Sequence, residues 1–194
     1  MSSTAALDGN HGLQAELDDN NSIYVSDDTP SAMPEYRMRF IFDPNSIQMD
    51  DGDAFIIFNA ANSSSTEVVR VELRILQGVY QLRVALLDDD GNWTNGSWIN
   101  VTDAAHLIEL KWSASTAANE NDGSLTLWLD DVQRASLTGI DNDTLRIDDI
   151  NLGVVSGVDV GTRGTLYFDA FISGRPLDPS DIGPSSSPGN RTGR

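Results

Sequence analysis

Most of the chain between residues 12 and 172 is built from short runs in which apolar and polar residues alternate, the two-residue period of a half-buried β-strand. Val68–Leu76 reads VVRVELRIL, with Val69, Val71, Leu73 and Ile75 on one side and Arg70, Glu72 and Arg74 on the other. Val79–Leu87 sends Tyr80, Leu82, Val84 and Leu86 inward and leaves Gln81 and Arg83 outside. Arg37–Phe42 and Leu107–Trp112 repeat the pattern: Met38, Phe40, Phe42, Ile108, Leu110 and Trp112 face in, and Arg37, Arg39, Glu109 and Lys111 face out. Further strands are predicted at Ala54–Asn59, Ser97–Val101, Ser124–Leu129, Val132–Leu137, Ile147–Val154 and Thr165–Ile172, and Gly12–Leu17 and Ser22–Val25 are expected to form a first pair. Gln77-Gly78, the Asp88–Asn92 loop, Asp122-Gly123 and Asp130-Asp131 supply turn residues between runs. No segment sustains a helical period. Short, evenly spaced strands of this kind predict an all-β fold, an antiparallel two-sheet jelly-roll sandwich. The expected organisation is a loose N-terminal segment at 1–10, the jelly-roll domain at 11–175, and a Pro/Ser/Gly-rich tail or linker at 176–194.

Composition narrows the partners. The 194 residues hold 30 acidic and 12 basic side chains, a net charge of −18, which argues against nucleic acid and against an anionic membrane surface. Twenty-four of the acids are Asp, a turn residue and a ligand for hard cations. Six of the 12 basic residues (Arg37, Arg39, Arg70, Arg74, Arg83 and Lys111) fall on outward strand positions, where they form either a cross-strand Arg/Glu ladder or a polar face that hydrogen-bonds sugar hydroxyls. There is no cysteine, and two histidines cannot make a His-rich zinc site. No run is apolar for long enough to insert in a membrane, and the first residues lack the pattern of a signal peptide, so an extracellular or cell-surface location presumes a mature or excised form.

Candidate chemistry is sparse. The Glu-x-Asp-x-x-Glu strand pattern of laminarinase-like jelly rolls does not occur, and Glu67 and Glu72 are not expected to form it, because Val69 and Val71 hold core positions between them. No esterase, zinc-protease or nucleotide-binding signature is present, and the chain reads as a non-enzyme. Trp128 alternates with Leu125, Leu127 and Leu129, so its ring either stacks on a sugar or covers a neighbouring strand; Trp93 is expected in a loop. Asp169 lies inside the run LYFDAFI (166–172), where a turn role is not open to it. Alternation puts it with Tyr167 and Phe171, opposite Leu166, Phe168, Ala170 and Ile172. A buried carboxylate must be compensated, here by calcium, by an Arg or by backbone donors.

The stretches Ile23–Ile47, Val68–Trp93, Gly123–Gly153 and Gly161–Phe171 together resemble a concanavalin A-like, laminin-G-like jelly-roll domain, of the kind found at the C-terminal ends of secreted multidomain bacterial proteins of the Chloroflexota type. The resemblance implies a non-catalytic carbohydrate-binding or adhesion module stabilised by calcium, with a polysaccharide or glycan as partner. Its binding face would carry Trp128, Arg70, Glu72, Arg74, Arg83 and Trp93. Asp169 matches the last-strand Asp that holds a structural calcium in such domains, with Asp18, Asp27 and Asp28 as expected co-ligands. Met1–Gly9 departs from the strand that opens related domains. An edge left open there invites pairing with another chain, and the alternative expectation is a self-assembling surface or filament subunit.

Overall fold

The computed structural model describes residues 1–174; the expected tail at 176–194 lies outside the described residues. Thirteen strands form two antiparallel sheets packed face to face. The first sheet has the order β1 (Leu13–Leu17), β13 (Gly164–Gly174), β3 (Glu35–Asp43), β9 (His106–Ser113), β10 (Gly123–Leu129), β11 (Val132–Ile140). The second has the order β2 (Ile23–Asp27), β12 (Asp149–Ser156), β4 (Ala54–Ala61), β5 (Glu67–Leu76), β6 (Val79–Leu87), β7 (Trp93–Asn95), with β8 (Ile99–Val101) also paired to β6. Among the described residues no helix is long and apolar enough to cross a membrane.

The alternating apolar residues form the core. Phe40 of β3 stacks on Phe58 of β4 with ring centroids 5.6 Å apart, joining the two sheets, and Phe42 meets Phe168 at 5.3 Å within the first. Trp112, Met38, Ile108 and Leu73 are fully buried around them. Gln77 and Gly78 both take positive φ (53° and 74°), as do Asp130 and Asp131 (52° and 62°), which gives the two tight hairpins β5–β6 and β10–β11 the turn twist that matches their strands.

Three expectations change. The first two strands do not pair: β1 joins β13 in one sheet and β2 joins β12 in the other, because the chain crosses between sheets at Asp18–Ser22. Residues 1–10 are held against the domain. Ser2 and Gly12 exchange backbone hydrogen bonds, and Ala5 is fully buried. A Cβ on Gly12 would lie 1.9 Å from the Ala5 carbonyl oxygen, so only glycine admits this approach. Finally, β13 is bulged after Asp169, with Ala170 at φ 49° and the partner register on β3 jumping from Asp169↔Ile41 to Ile172↔Arg39. The bulge reverses the alternation, so Phe171 packs against the core and Ile172 is exposed.

Candidate functional site

The outer face of the second sheet carries one continuous chain of polar contacts. On β2, Ser26 Oγ donates to Asn151 Oδ1 of β12 at 2.6 Å, and Asn151 Nδ2 donates to Asn59 Oδ1 of β4 at 2.9 Å. Asn59 Nδ2 donates to Glu67 Oε2 at 2.9 Å, and Glu67 Oε1 lies 3.4 Å from Arg70 Nη1, both on β5. Arg70 Nε is 3.8 Å from Glu72 Oε2, and Glu72 receives two hydrogen bonds from Arg83 of β6, one of them Nη2 to Oε1 at 3.2 Å. Arg83 and Arg74 both lie over the ring of Trp98, 4.4 and 4.1 Å from its centroid. Arg74 Nε donates to Gln81 Oε1 at 2.7 Å, and Gln81 Nε2 donates to Asn100 Oδ1 of β8 at 2.7 Å. Arg70 also covers Trp93 at 4.1 Å. The belt crosses the sheet from one edge to the other. Its guanidiniums are half-buried, flattened against indoles, and held by carboxylates and amides in fixed orientations, the form in which Arg recognises planar anions and sugar hydroxyls.

Of the residues expected on a binding face, Arg70, Glu72, Arg74, Arg83 and Trp93 come together here. Trp128 does not. It faces out from the first sheet, where Arg37 lies 5.7 Å from its ring and donates to Glu109. The outward charges therefore form two ladders on opposite faces of the sandwich. Alternation fixes in or out for each strand and is silent on which sheet the strand joins. Trp93 lies in β7 and packs partly against the core. Ser26, Asn59, Glu67, Trp98, Asn100 and Asn151 complete the belt without having been expected there. Asn151 was readable between inward Ile150 and Leu152. Glu67 was not, because it reaches this face through a bulge: Ala60 pairs with Val69 and Ala61 with Glu67, which skips Val68, and both Val68 and Val69 are buried.

Asp169 does not gather the expected calcium ligands. Its Oδ2 accepts the backbone N–H groups of Leu7 and Asp8 at 2.9 and 2.8 Å, and its Oδ1 accepts that of Ala170 at 2.7 Å. Asp27 accepts from Thr29, and Asp18 and Asp28 are exposed. Among the described residues, the carboxylates whose oxygens all lie within 4.8 Å of one another are instead Asp89, Asp141 and Asp143. A ring of N–H donors satisfies an anion and repels a cation, so the Asp169 environment does not fit a calcium site.

No protein-family model matches the sequence, and no curated protein is similar to it. Solved structures share its fold. An endo-β-1,4-glucuronan lyase from the fungus Trichoderma reesei superposes with a TM-score of 0.63 at 11% identity, over 89% of this chain and 84% of that one. The alginate lyase Aly36B, in a mutant form bound to an alginate trisaccharide, gives 0.59 at 12% identity over 86% and 82%. A receptor-binding domain of a botulinum neurotoxin C/D mosaic gives 0.52 at 15% identity over 78% of this chain and 35% of that one. The chain is thus an all-β, jelly-roll-like sandwich. The expectation of a non-catalytic module does not stand, since whole-length neighbours of the fold are polysaccharide lyases. That expectation rested on the resemblance and on missing motifs, among them the carboxylate pattern of one hydrolytic family. Elimination needs a neutralised uronate carboxylate and a base, and no such motif.

Proposed function

We propose that the chain is a polysaccharide-cleaving enzyme acting on a uronic-acid polymer, with its centre at Glu67, Arg70 and Glu72 on the polar face of the second sheet. The observation that carries this reading is the belt itself: a protein of net charge −18 sets three of its 12 basic residues on one sheet face, among amides, indoles and two carboxylates. The lyases that share the fold act on polymers of this chemistry. In an elimination, a guanidinium neutralises the uronate carboxylate and makes the adjacent C5 proton removable. Glu67, the more exposed of the two carboxylates, takes that proton. The C4–O bond breaks as the C4–C5 double bond forms; the departing oxygen takes a proton from water, and Glu67 returns its own to the hydroxide left behind. Trp93 and Trp98 border the cluster and offer ring faces to neighbouring sugars.

A second reading rests on the shared face of Glu67 and Glu72. Paired carboxylates flanking a glycosidic bond perform hydrolysis as acid and base or nucleophile. One assay separates the two. Incubation with alginate and with glucuronan is expected to release chain ends that absorb in the ultraviolet as unsaturated uronates, with Glu67→Gln losing about 10²- to 10⁴-fold. New reducing ends without that absorbance would assign hydrolysis, and no scission of any uronan would overturn the enzyme reading.

A further inference from the structure

The edge strand β2 is open, and the segment around it is nearly palindromic. β2 pairs only with β12, and no strand among the described residues covers its other side. Ile23, Tyr24 and Val25 are 41%, 46% and 49% exposed, so both faces of this edge show apolar surface. Tyr24 lies opposite Gly153, where a Cβ would come within 3.1 Å of the Tyr24 Cβ, so the tyrosine covers the glycine on the polar face. Ile23 and Val25 alternate with it toward the interior. There the two sheets stay apart along this edge, leaving a cleft of about 440 Å³ lined by Val25, Ile150, Leu152 and Phe171. Edge strands are ordinarily blunted by short length, charge, proline or a bulge; β2 is five residues long and its one charge, Asp27, stands at its end, so Ile23–Val25 stays open.

We propose that β2 is the interface of a twofold dimer, in which two copies pair β2 against β2 antiparallel with the axis at Tyr24. A symmetric interface brings residue i of one copy to residue j of the other and j to i. With the axis at Tyr24, Ile23 meets Val25, and the residues just before the strand follow on, Ser22 against Ser26 and Asn21 against Asp27. Each apolar residue of the strand finds an apolar partner, and Asp27, its one carboxylate, finds an amide. Neighbouring registers fail. An axis at Ile23 sets Tyr24 against Ser22 and Val25 against Asn21; an axis at Val25 sets Tyr24 against Ser26 and Ile23 against Asp27. Axes between residues would mix the two faces of the sheet. The polar residues on either side of Ile23–Val25 thus select one pairing and oppose the rest, as a specificity device does. The dimer closes on itself and leaves no further β2 edge, so it is a discrete pair and not a filament. It also brings the two polar belts edge to edge, since each begins at Ser26.

The test is sedimentation of the full chain over a range of concentrations, which reads association independently of any enzymatic activity. A monomer–dimer equilibrium is expected, lost in Ile23→Lys. Asn21→Lys places an ammonium opposite Asp27 at two symmetric positions and should tighten the dimer roughly fivefold; Asn21→Asp should weaken it by a similar factor. Asn21 is exposed on a loop, so both variants keep the fold, and circular dichroism verifies it. Monomer at every concentration would overturn the proposal. So would a dimer that ignores all three substitutions, which would assign the contact to another edge.

Discussion

Glu67 and Glu72 stand on the same side of β5 although five residues separate them, an odd spacing that a regular strand would split between its two faces. The bulge at Val68 makes the difference, and Arg70 lies between the two carboxylates. Their environments are not equal. Glu72 is 9% exposed and meets both Arg70 and Arg83, whereas Glu67 meets Arg70 and the Asn59 amide.

The two glutamates should therefore separate stability from activity. Glu72→Ala leaves Arg83 without its carboxylate and Arg70 with Glu67 alone, and is expected to cost ~3 kcal/mol in denaturant unfolding. Glu67→Gln keeps the hydrogen bond from Asn59 and removes an ion pair that is partly solvated, for a loss of under ~1 kcal/mol. A Glu67→Gln protein that unfolds as readily as Glu72→Ala would show Glu67 to be a structural brace and take away its role as the base.

Trp98 holds two cations at once, so its loss should be felt at both. In Trp98→Ala, Arg74 and Arg83 lose their ring contact, an effect of ~1–2 kcal/mol in total. Arg83 keeps Glu72 and Arg74 keeps Gln81, so the fold is expected to persist. Binding of alginate oligosaccharides should weaken, read by calorimetry. Unchanged binding would place the substrate elsewhere than this end of the belt.

Asp169 ties the N-terminal segment to β13 by accepting the N–H groups of Leu7 and Asp8, and it also accepts that of Ala170 within the strand. Asp169→Ala leaves those donors unanswered and should cost ~2–3 kcal/mol, with faster amide exchange at Leu7 and Asp8. Because the compensation comes from amide protons, melting of the wild-type protein in EDTA and in calcium should not depend on this residue. A calcium-dependent shift that disappears in Asp169→Ala would restore a metal role to it.

What the sequence disclosed and what it hid follow from the same rule. Alternation is a local signal, and it placed the core of β3, β6 and β9, and of β5 from Val69 to Leu73, along with the outward Arg and Glu positions. It carries no information on long-range pairing, so Trp128 was joined to a face on the other side of the sandwich, and β1 was paired with β2. It also fails wherever one extra residue enters a strand. Val68 and Ala170 are such points; Phe171 was misplaced and Glu67 was left off the polar face on that account. The short β7 left no alternation long enough to read. The buried carboxylate of Asp169 was visible, but its partners are backbone amides 161 and 162 residues away, which no side-chain pattern announces.

A last consequence concerns pH. The Asp143 carboxyl is pushed up from its ordinary value of 3.8, first by loss of hydration, then by the hydrogen bond and charge of Asp89 and the charge of Asp141, with Arg146 pulling the other way. Thr144 donates its N–H and hydroxyl to Asp89. A group whose folded pKa lies above its unfolded one binds its proton more tightly in the folded state. Its contribution is present in full below the ordinary carboxylate value and is lost as pH rises through the elevated one. Asp143→Asn removes the titration and keeps an amide that can donate to Asp89. The variant and the wild type should therefore differ little in melting temperature at the acid end. Above the window the variant should melt higher, because the wild type then carries three carboxylates within 4.8 Å of one another. Parallel melting curves across the whole pH range would show that the three charges relieve one another by moving apart, and that the cluster stores no repulsion at neutral pH.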